Sequence, residues 1–254
     1  MIKNKYIFIA DVHLGLRFGD YAAREKKFAK FLASLPDDIH SIYFLGDIFD
    51  YWYEYKYVIP KGFVRTLGEL AKLSDKGVKL YFVPGNHDVW AYGYFEDEIG
   101  MKILRGQPHV LNIAGQTFCI GHGDGLGDNN WGYKFLKWMF NNRFLQVCFS
   151  AIHPRWSMAL GYNWSRSSRL AKTSGDITSP KYLFKGKEEP IYKYVLDFEK
   201  KSKVHIDHYI FGHFHVPTSM ELPSGSYLHI LGEWLNHFDY LVFDGNKIFR
   251  KKYE

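Results

Sequence analysis

Residues 6–13 read Tyr6-Ile7-Phe8-Ile9-Ala10-Asp11-Val12-His13, an apolar run that stops abruptly at a carboxylate and an imidazole. A run this short, rich in β-branched and aromatic side chains, is the pattern of a buried strand. Four more runs share the design. Ile42 to Leu45 leads into Gly46-Asp47-Ile48-Phe49-Asp50, and Val78 to Val83 into Gly85-Asn86-His87-Asp88. Thr117 to Ile120 leads into Gly121-His122-Gly123-Asp124, and His208 to Phe211 into Gly212-His213-Phe214-His215. In open α/β sheets, ligands collect outside the carboxyl ends of strands, so five polar clusters at five strand ends predict one shared site.

Helical patterns lie between several of these runs, at Tyr21 to Leu35 and Gly62 to Lys76, which makes the core α/β. Towards the C-terminus the pattern changes to consecutive strands. Ser226 to Leu231 and Tyr240 to Phe243 are followed by a Gly245-Asn246 turn and then Lys247 to Arg250, so mixed sheets are expected. From about 129 to 189 no strand pattern is visible, and Trp, Phe, Arg, Lys and Ser dominate. We read a single domain over 1–254 with a helical cap inserted at about 129–189. The cap has two helical candidates, Trp131 to Phe149 and Arg155 to Lys172, divided at His153-Pro154.

With 254 residues, 46% hydrophobic and 24% charged, the chain can bury a large core. Disorder, collagen-like repeats, coiled coil and a disulfide-stapled mini-protein are all excluded. Cys119 and Cys148 are the only cysteines, too few for a thiolate zinc cluster or a disulfide framework, and they suit a reducing compartment. The apolar stretch Tyr6 to Ala10 is too short for a signal peptide, and no run approaches the roughly 18 apolar residues of a membrane span. A cytoplasmic protein is expected, with attachment to a membrane surface left open.

Imidazole, carboxylate and amide donors without thiolate suit Mn²⁺, Fe²⁺ or Zn²⁺ better than Ca²⁺. Seven such donors are too many for one tetrahedral ion and enough for two if one carboxylate bridges, with Asp47 the natural bridge. Two ions about 3.5–4 Å apart can clamp a phosphoryl group for in-line displacement. Each cluster alone also reads as a turn or a helix cap. All five together, in this order after strands, do not.

This constellation resembles the calcineurin-like metallophosphoesterase superfamily, whose motifs run Asp-x-His, Gly-Asp-x-x-Asp, Gly-Asn-His-Asp/Glu, a Gly-His region and Gly-His-x-His. The resemblance implies a sandwich of two mixed β-sheets flanked by helices. It also implies that Asp11, His13 and His215 hold one metal and Asn86, His122 and His213 the other, bridged by Asp47. The metals would activate a water that attacks phosphorus directly, without a covalent phosphoenzyme. His87 would stabilise the transition state or protonate the leaving oxygen, oriented by Asp50 or Asp88.

The substrate has to be read elsewhere, because one fold hosts many reactions. Between Asn129 and Glu189 there are ten basic and three acidic residues, a balance of +7 in a chain whose total is +6. The rest of the chain therefore stands at −1. Trp131, Phe135, Trp138, Leu145 and Phe149 fall on one helical face, with Leu136, Phe140, Phe144 and Val147 beside it. Three readings fit: a buried core helix, a lid that receives acyl chains or dips into an anionic membrane surface, or a platform for single-stranded nucleic acid.

The run Gly121-His122-Gly123-Asp124-Gly125-Leu126, then an aromatic-rich helix, then an Arg- and Ser-rich one, resembles the UDP-2,3-diacylglucosamine pyrophosphatase family of lipid A synthesis. That resemblance implies cleavage of a nucleotide-lipid to UMP and 2,3-diacylglucosamine 1-phosphate, usually with Mn²⁺. It also implies a helical cap over the acyl chains and peripheral attachment to the cytoplasmic face of the inner membrane. By position, Asn130, Arg166, Ser168 and Lys172 join Asn86, His87 and His213 as candidates for substrate contact. Many members of that family carry Arg where this chain has His87, so another metal-dependent phosphodiesterase or nuclease of the superfamily is the alternative. Nucleic acid is not the leading partner, and nothing in the pattern specifies an oligomeric state.

Overall fold

The computed structural model describes residues 3–17, 19–127, 130–172 and 184–254, without the side chains of 168–172. Two sheets carry the fold. The first has six strands in the order β11(Ile248–Lys252), β10(Asp239–Phe243), β1(Lys5–Ile9), β2(Ile39–Phe44), β3(Lys79–Phe82), β4(Lys102–Ile103). The second has five, ordered β5(His109–Ile113), β6(Gln116–Gly121), β7(His208–Phe211), β9(Tyr227–Ile230), β8(Thr218–Glu221). Both are mixed as expected: β1, β2, β3 and β4 run parallel, β10 pairs antiparallel with β1 and β11 antiparallel with β10, and β6, β7 and β9 run parallel between antiparallel edges.

Alternation along β1 shows why these runs are apolar throughout. Ile7 and Ile9 face one core with Phe28, Phe31 and Leu32 of α1(Tyr21–Ala33) and Leu70 and Leu73 of α2(Val64–Asp75). Phe8 and Ala10 face the other way, into the layer between the sheets, where Phe8 stacks on Phe118 at 5.6 Å and on Tyr43 at 5.1 Å. A strand covered on both faces has no solvent side and needs no polar alternation. A third core packs β7 and β9 against α7(Pro190–Lys201).

Sequence patterning misses β4, β5, β8, α3(Tyr94–Ile99) and α7, most of which are short or at an edge. It also needs one correction. The helix expected over Trp131 to Phe149 is two helices, α4(Trp131–Asn141) and α5(Arg143–Ser150). Asn142 breaks it: its backbone is extended at φ −73, ψ 116, and its side chain accepts from Leu145 N–H to cap α5. The next helix, α6(Pro154–Lys172), begins at Pro154, where the dipeptide predicts a boundary. No strand occurs between 130 and 189 among the described residues.

Candidate metal centre and substrate pocket

The loops that follow β1 and β2 stay paired after the strands end. Asp11 N–H donates to the Gly46 carbonyl at 3.0 Å, His13 N–H to Asp47 at 2.9 Å and Leu14 N–H to Ile48 at 2.9 Å, and Asp50 N–H donates back to Leu14 at 2.9 Å. This ladder sets Asp11, His13, Asp47 and Asp50 side by side. The third loop closes against it: Gly85 lies so near Asp47 that a Cβ there would collide with the Asp47 backbone nitrogen, so only glycine fits. Five of the candidate ligands, Asp11, His13, Asp47, His213 and His215, have positive φ between 50 and 71°. Left-handed backbone is costly for residues with a Cβ and concentrates at functional sites.

The side chains converge as expected. His215 Nε2 lies 3.3 Å from Asp11 Oδ1 and 3.4 Å from His13 Nε2. His122 Nε2 is 3.3 Å from both Asp47 Oδ2 and Asn86 Oδ1. The same Asp47 oxygen faces His13 Nε2 at 3.9 Å, and Asp47 belongs to two ligand-like groups, with His13 and His87 and with His122 and His213. Asp11, His13 and His215 form a third. His122 Nδ1 lies 2.9 Å from the Leu45 carbonyl, which accepts a hydrogen bond from it and leaves Nε2 to face the cluster.

The donors fit divalent cations. Asp11 Oδ1 is buried without a donor in hydrogen-bond geometry, and it points at the two imidazoles a cation would share with it. Burial opposes ionisation of Asp47, but the imidazoles of His122, His87 and His13 outweigh it and hold the carboxyl well below its usual range. In return, His122 is raised well above an ordinary imidazole against the pull of its burial, chiefly by Asp47. Burial and the neighbouring His122 push His213 down to about 4, so it is neutral at neutral pH and ready to donate a lone pair. This donor set fits a divalent-metal site.

The residues behind the ligands differ from expectation in one respect. His87 Nδ1 lies 2.8 Å from the backbone carbonyl of Asp50, so this carbonyl, rather than the Asp50 or Asp88 carboxylate, orients the ring. The Asp50 carboxylate lies closer to His13, with Oδ1 3.4 Å from His13 Nδ1 and 3.9 Å from His87 Nδ1. Asp88 has another task. It accepts N–H bonds from Asp47, Ile48, Phe49 and Gly85 and so moulds the turn that presents Asp47. Burial, with Asp47 nearby, pushes its carboxyl up to about 7.

A cavity of about 570 Å³ opens from this cluster. Asn86, His87 and His213 line it together with Trp90, Leu136, Phe140 and Trp164, so α4 and α6 supply much of its wall. Asp124, from the Gly-His-Gly-Asp motif, anchors α4: it accepts from Tyr133 Oη at 2.8 Å and pairs with Lys137 at 2.7 Å. Sequence reading passed over Tyr133, Lys137 and Ser165, whose only signals were their polar character on helices otherwise lined with aromatics. Of the expected cap contacts, Asn130 caps α4 by accepting from Tyr133 N–H, and Arg166 is exposed. The side chains of Ser168 and Lys172 lie outside the described residues.

The expected aromatic stripe divides in two. Phe140 and Phe149 pack on Trp90 and Tyr53, while Trp131, Phe135 and Trp138 are 84, 61 and 57% exposed. Neither α4 nor α5 has a fully buried residue, which rules out the core-helix reading.

The chain is 35% identical to a UDP-2,3-diacylglucosamine hydrolase of Porphyromonas gingivalis, over 97% of each chain. A protein of the same name from Hamiltonella defensa is 30% identical over 84% of this chain and 77% of its own. A crystal structure of a dimetal phosphatase from Danio rerio aligns over 100% of both chains at 12% identity, with a TM-score of 0.47. The calcineurin-like phosphoesterase family matches residues 5–217, from β1 through the last of the five strand-end motifs. A match that takes in the parallel core of the first sheet, strands β5 to β7 of the second and all five clusters has one meaning: the chain belongs to the calcineurin-like phosphoesterase family.

Proposed function

We propose that this hydrolase cleaves the pyrophosphate of UDP-2,3-diacylglucosamine, releasing UMP and 2,3-diacylglucosamine 1-phosphate. The observation that carries the reading is one cavity lined both by residues of the metal cluster and by aromatic, apolar side chains of the helical segment. A nucleotide-lipid needs both. The names of the relatives from P. gingivalis and H. defensa support the same substrate.

Asp11, His13 and His215 would hold one divalent ion and Asn86, His122 and His213 a second, with the Asp47 carboxylate shared between them. The resemblance to the pyrophosphatase family implies Mn²⁺, and the mixed imidazole and oxygen donors accept Fe²⁺ or Zn²⁺ as well. Bound there, the pair supplies positive charge at the scissile phosphate and lowers the pKa of an attacking water. The protein does the rest. His87, its ring fixed through Nδ1, presents Nε2 to the cavity and protonates the departing oxygen. The segment 129–189 acts as a cap on a single domain: Leu136, Phe140 and Trp164 receive acyl chain, and Arg166, Ser168 and Lys172 meet the head group.

No described helix is long and apolar enough to cross a membrane. The exposed Trp131, Phe135, Trp138 and Trp156, interleaved with Lys134 and Arg155, suit shallow insertion into an anionic surface. We therefore place the protein peripherally on the cytoplasmic face of the inner membrane, where such a lipid would be presented. The decisive assay measures UMP release from UDP-2,3-diacylglucosamine against hydrolysis of bis(p-nitrophenyl) phosphate with Mn²⁺, Mg²⁺ and Zn²⁺. Mn²⁺-dependent UMP release is expected, and its absence at saturating Mn²⁺ would sink the substrate.

A further inference from the structure

Helix α6 comes unusually close to the metal cluster. Gly161 rests directly on the Tyr51 ring, where any Cβ would overlap the ring carbons. One turn later on the same face, Ser165 is only 6% exposed, and its hydroxyl donates to Asp50 Oδ2 at 2.6 Å. The other oxygen of that carboxylate lies 3.4 Å from Nδ1 of His13, itself 1% exposed. A buried chain thus runs from the helical segment, through one carboxylate, to a residue that faces Asp11, Asp47 and His215.

We propose that Ser165 is a positioning residue for the metal centre: docking of α6 orients Asp50, and Asp50 orients His13. A carboxylate facing the outer nitrogen of a ligating histidine sets ring orientation and basicity. A carboxylate with one oxygen held by a buried hydroxyl has lost its freedom to swing. Gly161 makes the contact possible, because a side chain there would lift Ser165 away from Asp50. The cap and the metal site therefore form one mechanical unit, and withdrawal of α6 loosens the His13 side of the centre. The proposal rests on the metal assignment above and deepens it, since a residue of the cap becomes part of what holds the metal.

The test uses the full chain and Mn²⁺ alone, titrated by electron paramagnetic resonance of the free ion, with hydrolysis of bis(p-nitrophenyl) phosphate as a second readout. Ser165→Ala should weaken binding at one Mn²⁺ site by about tenfold, the lower end for partners of metal ligands. It should slow the small ester at subsaturating Mn²⁺ and recover at saturation. Ser165→Thr, which keeps the hydroxyl, should restore both, and Gly161→Ala should reproduce the defect without touching the hydroxyl. Unchanged Mn²⁺ affinity in Ser165→Ala, with loss confined to the lipid substrate, would overturn the proposal and leave Ser165 as a clasp for the helix. The Mn²⁺ titration needs no substrate, so failure of the wild-type protein to cleave the UDP-lipid bears on the substrate alone.

Discussion

The strand-end loops and the helical segment 131–167 are built on opposite terms. In the loops, Asp11, His13, Asp47 and His122 are at most 2% exposed, their backbone is hydrogen-bonded on both sides, and strained φ values are held by packing. In the helices, Trp131, Phe135, Trp138, Phe144 and Trp156 are more than half exposed, and attachment is confined to the inner side: Asp124 with Tyr133 and Lys137, Asp50 with Ser165, and Tyr51, Tyr53 and Trp90 with Tyr162, Phe149 and Phe140. Chemistry on phosphorus requires a fixed constellation, because misplacement of reacting groups by even about 1 Å is costly. Taking up a lipid requires a surface that is apolar and accessible. One chain supplies both by keeping the buried site at the sheet ends and the accessible surface on the outer face of the helices.

The largest expected effect breaks the first region. Asp47→Ala removes the carboxylate common to two ligand groups and should lower kcat/KM on the order of 10³-fold or more on any ester, with equal loss for lipid and small substrates. Stripping metal with a chelator should abolish activity as completely, with recovery on adding Mn²⁺. It should also lower the thermal midpoint, since ligand at about 100 times its Kd stabilises the fold by about 2.7 kcal/mol.

The helical region should divide where its aromatics do. Phe140→Ala removes a ring packed 4.9 Å from Trp90 and 4.8 Å from Trp164 and should cost about 2 kcal/mol in a denaturant titration. Trp138→Ser, on the exposed face, should change stability by less than about 0.5 kcal/mol. Its effect belongs in sedimentation with anionic vesicles, where binding should fall several-fold while hydrolysis of a soluble ester stays unchanged. Equal stability losses in the two variants would erase the distinction between the inner and outer faces.

The smallest expected effect is on pH. Without metal, Asp47 holds the His122 imidazole well above its usual range despite burial, so a cation must displace that proton to bind. Mn²⁺ affinity should therefore rise with pH, and a titration at pH 6 should give a weaker Kd than one at pH 8. A flat profile would show that His122 is already neutral in the metal-free protein.

The site was legible in the chain because its residues are consecutive and chemically distinctive. Gly46-Asp47 and Gly85-Asn86-His87 carry both the ligands and the glycines that their close approach requires. Strand β8 escaped because Thr218–Glu221 is a four-residue edge strand with Met220 as its one apolar side chain, and α3 because six residues show no usable periodicity. Asn142 looks like a helix interior in an aromatic run, and only the turn of the chain there makes it a cap.

Composition and order were enough to establish the α/β class, the five strand ends, seven converging donors and a basic, aromatic insertion. Those features are local, written in runs of neighbouring residues whose period and chemistry do not depend on the rest of the chain. Which aromatics face water, which oxygen of Asp50 meets His13, and that a serine in Trp164-Ser165-Arg166 is buried against a carboxylate were settled by folding alone. These are contacts between residues as far apart as 115 positions, and only the packing of α6 on Tyr51 brings them into range.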